Sequence, residues 1–111
     1  MINVSAGKGP YGIRQAVIAE PYEFVGEFLT VEGSSRNSWA CEELRDVVAK
    51  ILAGSLNSFK KSGNAHSIEV SAKGMRITSS YHEPPFDRVI TLEQYVEVVE
   101  QWLSILEGKT A

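Results

Sequence analysis

The chain has 111 residues, 43% of them hydrophobic, a size that suits one compact domain whose core needs neither a disulfide nor a structural metal. Its 11 basic and 14 acidic residues leave a net charge of −3, which removes any electrostatic drive toward phosphate backbones and argues against a nucleic-acid binder. A lone cysteine, Cys41, excludes an intramolecular bridge and fits a reducing compartment. The absence of a basic-then-apolar start or of ~18 consecutive apolar residues points away from secretion and membrane spanning. A cytoplasmic protein is the expectation.

In chain order, Ile2 to Ser5 reads as a short strand and Tyr11 to Ala19 as a second, with a bend at Glu20-Pro21, where proline and the residue before it leave helix geometry. Tyr22 to Glu32 fits two patterns. Phe24, Val25, Phe28 and Leu29 have helical spacing, while Tyr22, Phe24, Phe28 and Thr30 share one side of a strand. Aromatic content, Gly26 and the exit Gly33-Ser34-Ser35 favour the strand, which pairs with Tyr11 to Ala19. Ser38 then caps a helix reaching about Leu56, with Glu42 and Glu43 in its first turns and a stripe of Leu44, Val47, Val48, Ile51 and Leu52. Trp39 extends that face into the core, and the polar run Asn57 to Asn64 reads as a solvated loop.

Ile68, Val70 and Ala72, then Met75 and Ile77, alternate with polar residues about Lys73-Gly74. This predicts a hairpin pairing Ala72 with Met75, Val70 with Ile77 and His66 with Tyr81, its other face wet. Thr91 and Gln94 have capping-box spacing, and Leu92, Tyr95, Val96, Val99, Trp102, Leu103 and Leu106 repeat with helical period. The last helix therefore runs from Leu92 to Glu107 and stops at Gly108. The expected fold is α+β, an antiparallel sheet of about four strands in ββαββα order with two helices packed on one face.

Residues that carry chemistry are sparse. Cys41 lies in the first turn of a helix, where the dipole lowers a thiol pKa, but Glu42 and Glu43 oppose a thiolate, so a buried side chain is favoured over a nucleophile. His66 and His82 fall near the open end of the hairpin without metal-ligand spacing, and Gly7-Lys8-Gly9-Pro10 does not match a phosphate loop. No catalytic group, metal or cofactor is predicted. Charge placement says more. Ile77 to Ala111 holds six acids against two bases, and Ala19 to Glu32 holds Glu20, Glu23, Glu27 and Glu32 with no base.

The pattern Arg88-Val89-Ile90-Thr91-Leu92-Glu93-Gln94-Tyr95, followed by Val99-Glu100-Gln101-Trp102-Leu103-Ser104-Ile105-Leu106-Glu107, resembles small bacterial immunity proteins of contact-dependent growth inhibition and related polymorphic toxin systems. Val31-Glu32-Gly33-Ser34-Ser35 leading into the Trp39 to Leu52 segment adds to the likeness, which covers about residues 22 to 107. The resemblance implies a non-enzymatic, cytoplasmic antitoxin that binds one cognate toxin domain, often a nuclease, as a monomer in a 1:1 complex. Carboxylates would stand in for phosphates, and the candidate partner-binding residues are Tyr22, Glu23, Glu27, Glu32, Tyr81, His82, Glu83 and Asp87. The alternatives are a homodimerising adaptor with an open sheet edge, or a small enzyme using Cys41 or His66 and His82.

Overall fold

Across residues 2–9, 14–34, 38–79 and 84–108, which the computed structural model describes, the elements follow in chain order. They are β1 (Val4–Lys8), β2 (Arg14–Ile18), α1 (Glu23–Glu32), α2 (Leu44–Leu52), β3 (Ser58–Ser62), β4 (Ser67–Ser71), β5 (Gly74–Ser79), β6 (Phe86–Ile90) and α3 (Leu92–Leu106). A π-helical turn, Trp39–Glu43, leads into α2. The chain is α+β as expected, and its main sheet is four-stranded and antiparallel in the order β3-β4-β5-β6. Its membership differs from the ββαββα reading, because β1 and β2 form a separate two-stranded ribbon and three helices are present.

The segment from Tyr22 to Glu32 is helical rather than extended. Phe24, Val25, Phe28 and Leu29 are all buried, and a strand would have sent Phe24 and Val25 to opposite faces. Gly26, a helix weakener by propensity, serves the packing of α1 on β2, since a Cβ there would sit 2.5 Å from the Ala16 carbonyl oxygen. At the same contact the Ala16 amide donates to Thr30 Oγ1 at 2.9 Å, and the Thr30 hydroxyl donates back to the Gly26 carbonyl at 2.8 Å. The helix thus covers the free edge of β2. Side chains of α3 satisfy the opposite edge of the ribbon: the Ile2 amide donates to Glu97 at 2.8 Å, the Val4 amide to Gln101 Oε1 at 3.0 Å, and Gln101 Nε2 to the Ile2 carbonyl at 2.6 Å.

The expected helix from Ser38 to Leu56 is present in two parts, the π-helical turn and α2, and ends before Gly54, whose φ of 81° no longer continues it. β3 occupies what reads in sequence as a solvated loop. Only Phe59 is apolar there, and Lys61 fills its core-side position by laying its stem toward Trp39, with the amine 5.2 Å from the ring and 2.8 Å from Glu43. The β4–β5 hairpin turns at Ala72-Lys73, one residue earlier than predicted, so Val70 faces Met75 and Ile68 faces Ile77. The shift moves each partner by two positions, which preserves the face every side chain takes. Thr91 and Gln94 form the predicted reciprocal cap, and α3 ends just before Gly108.

Helices α1 and α3 both pack on β5, and the largest buried side chains, Trp102, Tyr95, Phe28 and Leu29, fill the space between. Two of these side chains also lock the interior through polar atoms: Trp102 Nε1 donates to the Gly33 carbonyl at 2.7 Å, and the Tyr95 hydroxyl donates to the Ala40 carbonyl. Because the backbone of β2 cannot retreat from α1 without breaking the Thr30 bond, Gly26→Ala should destabilise the protein by about 1–3 kcal/mol. Urea unfolding measures it, and a change within error would show that α1 is free to slide on the ribbon.

Candidate functional site

Four residues, Gly63-Asn64-Ala65-His66, join β3 to β4, and the loop closes on itself through the Gly63 amide and the His66 carbonyl, 2.7 Å apart. Its next three amides converge on Glu32, the last residue of α1. The Asn64 amide donates to Oε1 at 3.0 Å, and the Ala65 and His66 amides donate to Oε2 at 2.8 and 3.1 Å. His66 Nδ1 lies 3.2 Å from the same oxygen, and because an ionised carboxylate only accepts, this ring nitrogen carries the hydrogen. Burial pushes the Glu32 carboxyl up, but the Ala65 and Asn64 amides and the His66 ring outweigh it and hold the group below its ordinary glutamate value.

The His66 side chain is 1% exposed, its ring set between Phe28 and Phe86 at centroid distances of 5.5 and 5.8 Å. On the outward side Nε2 stands 3.5 Å from Glu27 Oε2. The alternation that turns Ile68 and Val70 inward also turns His66 inward, and this was the signal by which the sequence could have placed it in the interior. Gly63 was likewise missed: a Cβ there would lie 2.1 Å from Glu32 Oε1 and 2.6 Å from the Trp39 ring.

Around the start of α1 the fold gathers several of the predicted residues. Tyr22 is half-buried, its hydroxyl accepting from Gln94 Nε2 at 2.9 Å. Glu23 and Glu27 stand one turn apart on α1, their side chains 46% and 32% exposed. Arg88 of β6 backs the first of them, at 3.3 Å from Glu23, while also donating to the Pro21 carbonyl at 2.6 Å and lying 4.7 Å above the Phe24 ring. Arg88 belongs to the motif that carries the family resemblance, but it was not among the candidate partner-binding residues.

The remaining candidates separate from this group. Glu32, expected to face solvent, is 5% exposed and saturated by loop donors, so it offers nothing to a partner. Asp87 alternates with Arg88 along β6 and projects from the opposite face of the sheet, held by Nε and Nη2 of Arg76, which lowers its pKa. That uncovered face also pairs Lys60 with Glu69 at 3.3 Å and carries short hydroxyls such as Ser67 and Thr78. Tyr81, His82 and Glu83 lie outside the described residues, as does the predicted His66–Tyr81 pairing. Cys41 is buried, its thiol 3.5 Å from the Gly33 carbonyl and pushed up by desolvation, the reverse of an activated nucleophile. Among the described residues no group of three His, Cys, Asp or Glu is placed to hold a metal ion, and no helix is long and apolar enough to cross a membrane.

A glutamine at position 32 would aim amide hydrogens at donors. Glu32→Gln should therefore cost about 2–4 kcal/mol at neutral pH. Since the folded carboxyl titrates below its unfolded value, its stabilisation is complete above the ordinary glutamate range and is lost as pH falls through the lowered folded value. Denaturant unfolding of both proteins across acidic pH should show the gap closing on acidification, and a gap independent of pH would deny the charged cradle.

Comparisons with family models, with curated proteins and with solved structures find no match, so what this site does follows from its own geometry.

Proposed function

We propose that this chain is a non-enzymatic immunity protein that binds a cognate bacterial toxin domain in the cytoplasm, as one copy to one, and covers its active site or substrate surface. The observation that carries this reading is the pair Glu23 and Glu27. Both carboxylates remain partly exposed; Glu23 is oriented from the sheet side by Arg88, and Glu27 stands 3.5 Å from the His66 ring. Oriented charges lose little freedom on binding, which is how a surface of modest size reaches useful affinity. A toxin that acts on nucleic acid is basic where it meets phosphate, and carboxylates at fixed spacing compete for that ground. The likeness of the Arg88 to Glu107 segment to immunity proteins supports the same reading.

Co-expression with the product of the adjacent reading frame, followed by affinity capture and mass spectrometry, identifies the partner. A stoichiometric basic protein that kills cells when expressed alone, and not beside this chain, is the expected result. Against that partner Glu23→Lys should slow association by about tenfold at low salt and less at high salt, with dissociation little changed. Unaltered association and full protection by the variant would remove α1 from the interface.

A further inference from the structure

The geometry points to a carboxylate receptor in the loop at residues 63–66: a binding site formed by the loop's own backbone, with Glu32 as its tethered ligand. This inference is independent of the partner proposed above. Four donors converge on one carboxylate, three of them successive backbone amides, the arrangement of an anion-binding concavity. The bonds that shape the loop do not involve Glu32. Gly63 and His66 close it, the Ser62 and Ser67 hydroxyls meet at 3.0 Å across its base, and Ser79 Oγ donates to the Ala65 carbonyl at 3.0 Å from β5. The His66 ring is positioned by Phe28 and Phe86.

The cradle also states what it accepts. Every group directed at the two oxygens is a donor, so a cation finds no match there, and an amide group matches with its oxygen but not with its NH2. Its wall is close: the position a Cβ at residue 63 would take is already within 2.1 Å of Oε1. A planar monocarboxylate such as formate or acetate fits where the Glu32 head group lies, and removing that side chain should expose the receptor.

The test is Glu32→Ala in the full chain, melted in sodium formate and in sodium chloride at equal ionic strength, with the wild type alongside. Formate should raise the variant's melting temperature saturably, by about 4 °C or more above chloride, and leave the wild type indifferent to the choice of salt. Adding Gly63→Ala places a methyl group where a formate oxygen would sit, and the formate response should disappear. Should Glu32→Ala be unfolded in chloride, recovery of its far-UV circular dichroism in formate alone supports the receptor. Equal behaviour in both salts, failure to refold in either, or a formate response that survives Gly63→Ala would each overturn it.

Discussion

A carboxylate withdrawn from water has to be met by donors, and in this protein one such encounter, between Glu32 and the loop at residues 63–66, fixes how the largest pieces sit. Glu32 is the last residue of α1 and the loop is the link between β3 and β4, so four hydrogen bonds fasten a helix end to a sheet end over 32 to 34 residues of sequence. The approach is close enough to demand glycine at 63, and the same closeness brings the Trp39 ring against that glycine and Phe28 against Trp39, 5.6 Å between centroids. Lys61 then covers Trp39 from outside. Losing a single partner would leave a buried charge, so this group is costly to break even where its net contribution to stability is small.

The ribbon of β1 and β2 presents the complementary problem. Two strands alone are marginal in water, and both of their outer edges would carry unpaired backbone groups. Thr30 from α1 takes one edge, Glu97 and Gln101 from α3 the other, so helix side chains act where further strands would otherwise be needed. Helix α1 is therefore engaged on both sides: at Gly26 and Thr30 by the ribbon, at Glu32 by the sheet. A change at either contact reaches the other through the rigid helix.

The readable parts of the sequence were those where one local rule decides. The capping box at Thr91 and Gln94, the glycine stop at Gly108 and the alternation in β4 and β5 each depend on neighbours a few residues apart. The α1 segment was misread because its Gly26 counts against a helix by propensity, whereas its cause lies at Ala16, ten residues earlier and across a packing contact. β3 was misread because Lys61 occupies a core-side position through its stem, which no hydrophobic pattern records. Of the site, the acids on α1 were found by charge, but which of them face water depends on helix phase. A strand reading points Glu23 and Glu27 outward by alternation and says nothing of the Glu32 cradle.

That cradle also shapes the exposed surface. Fixing the end of α1 sets the rotation of the helix about its axis, and Glu23 and Glu27 take their positions from it, nine and five residues back along the same rigid element. Arg88 then holds Glu23 from behind and orients it, and the His66 ring stands 3.5 Å from Glu27. On the proposed reading, exposed acids such as Glu20 and Glu93 add to Glu23 and Glu27 in the field that a basic partner would feel before contact, within the ~8 Å reach of unscreened charge at physiological salt. On that reading, loss of any one of these acids would slow the encounter, and specific fit would be lost where the helix that aims Glu23 and Glu27 is allowed to turn.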